Sequence, residues 1–328
     1  MKFKATFVTG TLLLLTLNFS ACKEKMEVKE ESISLKDYSN DKRSSAAEYT
    51  PVTVTSKGMN FELPKKIKSG WQEFRYENKS GDTHFFILEK LPEGKHIEDS
   101  KKEVVPVFDA AMQLINQGEA EKGFEKFGEL PEWFSQIQFL GGAGLVSPGH
   151  TAYTTLNLEP GNYLLECYVK MPNGSFHSTM GMLEEIEVIS AKSNHSEPEA
   201  ENVVNISTAN GIVLENKIKP GLQTFKVNFL DQKTYSNFVG HDVNLLRYDS
   251  DKDLVTLNKW VNWLEVGSLT SPAPENLVFL GGTQELPGGS TAYFTADLKP
   301  GKYALVSEIP DPKSHNMLLT FEINEEEL

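Results

Sequence analysis

The chain has 328 residues, 39% of them hydrophobic, and a formal net charge of −14. That is apolar enough for a packed core and long enough for two ordinary domains. The acidic balance argues against a nucleic-acid binder and against an electrostatic grip on anionic lipid; it suits an exported protein or one that docks to a basic partner.

Residues 1–22 read as an export signal. Lys2 and Lys4 precede a mostly apolar stretch that Gly10 and Asn18 interrupt, too short for a membrane span. Phe19-Ser-Ala-Cys22 then resembles a bacterial lipobox, with Phe19 departing from its outer position. The resemblance implies that Cys22 is lipidated, so the expected location is the bacterial cell envelope, at the outer membrane on its periplasmic or surface face. The lipid would be the sole contact with the membrane. Residues 23–50 begin with the charge-rich Lys23-Glu-Lys-Met-Glu-Val-Lys-Glu-Glu31 and read as a disordered tether. The chain has two cysteines. With Cys22 at the anchor, Cys167 stands alone in an oxidising compartment, where a free thiol is either buried and inert or metal-bound.

Residues 51–190 read as a first β domain. Apolar or alternating runs cover 52–54, 61–63, 72–77 and 84–88, and the turn Asn78-Lys-Ser-Gly-Asp82 separates the last two. Residues 106–117 break the pattern: Val107, Phe108, Ala111, Met112, Leu114 and Ile115 have helical spacing, and Gly118 is a stop. Strands resume over 152–158, 163–169 and 183–189, with a Pro160-Gly161 turn between the first two. Residues 191–202 are a polar link, and 203–328 form a second domain. There Leu254, Leu257, Trp260, Val261 and Leu264 mark a second helix, with Gly267 beyond. Both apolar stripes are expected to face the core.

The second domain repeats the first. Phe139-Leu-Gly-Gly142, Thr151-Ala-Tyr153 and Leu158-Glu-Pro-Gly-Asn-Tyr163 recur 140 residues later as Phe279-Leu-Gly-Gly282, Thr291-Ala-Tyr293 and Leu298-Lys-Pro-Gly-Lys-Tyr303. Ile67-Lys-Ser-Gly-Trp-Gln-Glu-Phe74 answers to Ile218-Lys-Pro-Gly-Leu-Gln-Thr-Phe225 at an offset of 151. The expected fold is mainly β: two tandem Greek-key β-sandwiches, each with a short helical insertion.

A Pro-Gly turn, a strand running to Cys167, a loop, then His177 and Met182 before a last strand resembles the ligand loop of cupredoxins. The Cys-x9-His-x4-Met spacing, with Gly181 before Met182, is similar to the type 1 copper domain of copper nitrite reductases; plastocyanins use a shorter Cys-to-His loop. Glu77-Asn-Lys-Ser-Gly-Asp-Thr-His84 is similar to the turn that delivers the first His ligand. The resemblance implies one type 1-like copper site, in the first domain only. Cys167 would be the thiolate, His84 and His177 the imidazoles and Met182 the axial thioether, with Met180 a second axial candidate. Two imidazoles and a thiolate suit both Cu(I) and Cu(II), and a weak thioether tunes the potential. Each residue also has a plain reading: a buried thiol, a core methionine, structural or surface histidines.

At the place of Cys167 the second domain has Ser307, which cannot replace a thiolate. His241 falls near the place of His84, and His315 and Met317 near those of His177 and Met182. The nitrite reductases' second copper needs a His directly before the Cys, where Glu166 stands, and another at Glu89 or a neighbour, where none is found. Multicopper oxidase motifs, phosphate loops, nucleophile elbows, HExxH and CxxC are absent from the sequence, so no enzyme is expected. His96, His150 and His195 read as exposed. Two functions stay open. One is a copper-binding envelope lipoprotein that passes electrons from the exposed edge of His177 to a redox protein partner, or handles copper, with the second domain as spacer or docking module. The other is a metal-free structural or binding lipoprotein of the same fold.

Overall fold

The computed structural model describes residues 50–324. The export signal, Cys22, all of the tether but Thr50, and residues 325–328 lie outside the described residues.

The first half contributes β1 (Val52–Ser56), β2 (Phe61–Glu62), β3 (Lys66–Asn78), β4 (His84–Lys90), β5 (Gln138–Val146), β6 (Thr151–Leu158), β7 (Gly161–Glu166) and β8 (Leu183–Lys192). The second contributes β9 (Asn202–Ser207), β10 (Gly211–Leu214), β11 (Gly221–Phe229), β12 (Val243–Tyr248), β13 (Leu277–Thr283), β14 (Thr291–Leu298), β15 (Gly301–Val306) and β16 (Leu318–Ile323). In the first half, one sheet runs β2-β1-β3-β6 and the other β5-β4-β7-β8. The second half has the same order, β10-β9-β11-β14 against β13-β12-β15-β16. This is the expected fold, two tandem Greek-key sandwiches of cupredoxin-like type.

The sandwiches share their sheets. β6 pairs antiparallel with β14, where Thr154 meets Phe294, its counterpart in the repeat. β5 pairs antiparallel with β13, where Ala143 meets its counterpart Thr283. Each repeated segment therefore binds its own copy about a local two-fold axis. Gly141 N–H donates to the Glu285 carbonyl (2.8 Å) and Ser147 N–H to that of Phe279 (3.0 Å), extending the ladder. A single apolar cluster runs through both halves, from Val54 and Phe74 to Phe225 and Phe294.

The repeated motifs do definite jobs. Tyr163 and Tyr303 each donate their hydroxyl to a carbonyl four residues back, Glu159 and Lys299, at 2.8 Å, which ties down the two Pro-Gly turns. Gly142 (φ 151°) and Gly282 (φ 132°) let neighbouring backbone approach. A Cβ there would lie 1.9 Å from the Phe86 carbonyl oxygen and 2.0 Å from that of Val243.

The first helical insertion is larger than expected. It has α1 (Ile97–Glu103), α2 (Val105–Asn116) and α3 (Ala120–Lys126), followed by two 3₁₀ turns. His96 caps α1, and Asp99 accepts its N–H at 3.0 Å. A start signal with His at the cap falls outside the Ser/Thr/Asp/Asn rule, and seven residues are too few to show a stripe. In the second half, α4 (Asp251–Trp260) opens on Ser250, whose N–H and hydroxyl both reach Asp253.

Gly142→Ala is expected to lower stability by at least ~2 kcal/mol, since it adds both φ strain and overpacking. Gly149→Ala, also at positive φ but with open space around its Cβ, should cost less. Urea unfolding of the two variants checks the order.

Candidate metal centre

The turn before β4 is built on Asn78. Its Nδ2 donates to the carbonyls of Val146 (2.7 Å) and Asp82 (2.8 Å), and its Oδ1 accepts from the hydroxyls of Ser56 (3.0 Å) and Ser80 (2.6 Å). This buried knot fixes where β4 starts, and His84 is its first residue. On the other side, β7 ends at Glu166, sooner than the sequence suggested, because the chain peels away at Cys167 to form the loop. Cys167 N–H donates to the Met182 carbonyl (3.1 Å), Met182 N–H to the His177 carbonyl (3.0 Å) and His177 N–H to that of Val169 (2.8 Å). The loop is thus closed on itself by its own backbone. His177 opens a 3₁₀ turn over His177–Met180.

Cys167, His84, His177 and Met182 are all 0% exposed. Cys167 Sγ lies 3.8 Å from Nδ1 of His84 and 3.8 Å from Nδ1 of His177, and the two nitrogens are 3.0 Å apart. A point equidistant from the three atoms is about 2.1 Å from each, the reach of a metal–imidazole bond and close to that of a metal–thiolate bond. Among the described residues this is the one group of three or more His, Cys, Asp or Glu side chains spaced to hold a metal ion. Met182 is packed in the same core as Cys167, whereas Met180 is 53% exposed.

Burial sets the protonation states. It pushes the His84 imidazole down to about 3, helped by the neighbouring His177, and His177 itself down to about 4, so both rings keep lone pairs at neutral pH. The Cys167 thiol is pushed up to about 12 by burial, against the backbone N–H groups of Phe85 and Val169, which favour the thiolate. A cation at the centre of the triangle would reverse that preference.

The expectation of an exposed His177 edge is overturned. Ser271 of the second half sits on the ring, its Oγ 3.0 Å from Nε2. With Ser271 accepting the Nε2 proton, Nδ1 faces Cys167 with its lone pair free. The segment carrying Ser271 is strapped across the loop: Lys170 N–H donates to the Leu269 carbonyl (2.7 Å) and Ser271 N–H to that of Lys170 (2.8 Å). Lys170, also 0% exposed, sends Nζ into the turn after α4, donating to the carbonyls of Trp263 (2.6 Å) and Glu265 (2.9 Å). The second half is therefore a cover over the loop as well as a repeat of it, more than a spacer. Sequence reading missed Lys170 and Ser271, since nothing local marks a contact between residues that far apart.

The equivalent place in the second half is filled differently. Ser307 N–H donates to the Met317 carbonyl (3.0 Å), repeating the Cys167–Met182 bond. Ser307 Oγ, however, donates to Asp242 Oδ1 (2.6 Å). His241 turns to Tyr235 and to the Asp231 carbonyl, and His315 is exposed beside the Tyr235 ring. Asn244 Nδ2 bridges the buried carboxyls of Asp242 (2.5 Å) and Glu308 (3.2 Å), while its Oδ1 accepts the Leu145 N–H of the first half (2.7 Å). Burial pushes Asp242 up to about 7 and nearby Glu285 up to about 8; Glu308 and Glu89 are raised well above the usual range for the same reason. Of the other histidines, His96 and His150 are exposed and His195 is half-buried.

No family model and no curated protein matches the chain. Among solved structures it is similar to reduced auracyanin from the photosynthetic bacterium Roseiflexus castenholzii, at 17% identity and a TM-score of 0.27, over 44% of this chain and 99% of that one. It is also similar to auracyanin A, a blue copper protein of Chloroflexus aurantiacus, at 19% identity and a TM-score of 0.26, over 43% of this chain and 100% of that one. A copper nitrite reductase from Nitrosomonas europaea aligns over 85% of this chain and 95% of its own, at 11% identity and a TM-score of 0.22. At such scores, what the site can do follows from its own side chains.

Lys170→Met would leave the buried Trp263 carbonyl unpaired, while the Glu265 carbonyl keeps the Ser268 N–H, and would free the covering segment, so a loss of about 1–3 kcal/mol is expected. Hydrogen exchange should then speed up at residues 263–271 before the rest of the fold. A pH effect follows from the buried carboxyls. Their raised values mean that the folded chain holds more protons than the unfolded one from about pH 4.5 upward. Above pH 7, where imidazoles are mostly neutral in both states, stability should therefore fall as pH rises, by about 1.4 kcal/mol per pH unit for each of these carboxyls that keeps its proton in the folded chain. Urea midpoints of the metal-free protein between pH 7 and 8.5 test this, and Glu285→Gln should flatten the slope.

Proposed function

We propose that the protein binds one copper ion through Cys167, His84 and His177, with Met182 as the weak axial donor, and serves electron transfer or copper handling in the cell envelope. The convergence of one thiol and two neutral imidazole nitrogens around a point about 2.1 Å from each carries this reading. Bound there, copper would supply one-electron exchange, because two imidazoles and a thiolate accommodate both of its oxidation states. The protein's part is to hold the donors nearly fixed and to keep water away. The Asn78 knot and the closed loop do the first, and the second half does the second.

The Cys22 lipobox supports export and lipid anchoring. Glu89 and Glu166 stand where a nitrite reductase's second copper would need histidines, which favours a carrier over an enzyme. With His177 covered, a redox partner would dock where the ligand loop meets solvent, at Met180, which is 53% exposed. A metal-free binding module is the second reading. It is favoured by the 3.0 Å separation of the two imidazole nitrogens, which is also a hydrogen-bond length.

Adding one equivalent of Cu(II) to the purified protein separates the two. The copper reading expects an intense visible thiolate-to-copper band that Cys167→Ser abolishes, and a potential that rises in Met182→Leu. A colourless protein that stays folded after copper addition would establish the metal-free reading.

A further inference from the structure

We propose that the cavity between the two halves is a binding site for a small organic cation, an amine or alkylammonium group on an apolar body. The cavity has a volume of about 80 Å³ and lies between α2, the ligand loop, the 231–242 loop and the turn after α4. That is room for a group of several heavy atoms, since one water needs ~10–15 Å³ in this measure. The proposal does not depend on copper.

One wall is aromatic. The rings of Phe108, Phe176, Trp263 and Phe238 form a closed circuit with neighbouring centroids 6.3, 5.3, 6.5 and 6.5 Å apart. Phe127 packs behind three of them, at 5.1 Å from Phe108, 5.0 Å from Phe238 and 6.3 Å from Trp263, and so stiffens the wall. Phe238 is held at φ 59°, a costly conformation for a residue with a side chain, and the residue is 38% exposed.

The rest of the lining carries three carboxyls, Glu89, Glu166 and Glu285, and includes no Lys, Arg or His. Glu89 and Glu285 are only 6% and 8% exposed. Glu89 and Glu166 bond to each other, and Glu285 accepts the Gly240 N–H. Carboxyl oxygens thus line a place poor in water, with no cationic side chain in the lining to pair with them. Ring faces attract cations as well, and more strongly where water is excluded. An anion would find no positive side chain in the lining. A neutral apolar molecule would cover the carboxyls without pairing them. A metal ion fits less well, because these carboxyls are not spaced as a ligand group. The site draws on both halves: Glu89, Glu166, Phe108 and Phe176 from the first, Glu285, Phe238 and Trp263 from the second.

Isothermal titration of the full-length protein with tetramethylammonium and n-propylammonium, and with neutral neopentyl alcohol, tests the proposal. At least one cation is expected to bind at one per chain and to quench tryptophan fluorescence, with the alcohol about tenfold weaker. Glu285→Gln and Phe238→Ala should each weaken the cation about tenfold. The second variant guards against a carboxyl variant that fails to fold. Three results would overturn it: no heat from any probe up to ~10 mM, the alcohol binding as tightly as the cations, or cation binding unchanged in both folded variants.

Discussion

The antiparallel pairing of β6 with β14 and of β5 with β13 is the constraint on which the rest of the structure depends. An exposed sheet edge invites pairing with any complementary strand. Here the internal repeat supplies that strand, and each edge meets its own copy about a local two-fold axis. Once the two edges are joined, the loops at the ends of the sandwiches have no freedom to choose their neighbours. The turn after α4 must lie over the loop from Cys167 to Met182, and Ser271 must meet His177. The cover on the candidate metal centre is thus a consequence of how the sheets close.

Burial under that cover has chemical consequences. An imidazole cut off from water resists protonation, so His84 and His177 stay lone-pair donors well below neutral pH. A thiol in the same place resists ionisation, so Cys167 is inert until something positive lies beside it. The two effects act together: the donors are prepared for a cation and unattractive to protons or oxidants. The cover also removes the direct route by which an imidazole edge would touch a partner.

Much of this was legible in the sequence, and the reasons are local. The offset of 140 residues between the Phe-Leu-Gly-Gly, Thr-Ala-Tyr and Pro-Gly-x-Tyr motifs encodes the duplication, because each motif performs the same backbone task twice. The spacing of Cys167, His177 and Met182 encodes a loop that returns to its starting strand. His84 could be placed beside them because the Asn78 turn is a compact local unit. What stayed hidden was contact between halves. Lys170 looks like a solvated lysine in sequence, yet its ammonium is buried against two carbonyls that lie more than 90 positions away. Helix α1 hid behind an unusual cap, and nothing in the sequence brings Glu285 of the second half to Glu89 and Glu166 of the first; the fold gathers them.

The two copies also show how a duplicated loop can part ways. Ser307 keeps the backbone bond that Cys167 makes, and Met317 keeps the place of Met182. The change is in what fills the space between strands. In the first half Phe85 follows His84, and the imidazole turns inward toward the sulfur. In the second half Asp242 follows His241 and accepts the Ser307 hydroxyl, and the imidazole turns away to Tyr235. A carboxyl there needs donors, and Asn244, the Glu308 N–H and Ser307 supply them. Asn244 then spends its remaining acceptor on Leu145 of the first half. The polar network that stands in place of the donor set in one copy is part of the joint that holds the other copy in place. A cysteine placed at 307 alone would leave Asp242 without its hydroxyl donor and set a carboxyl against a thiol, so a second centre is blocked by its surroundings as much as by the lack of a sulfur.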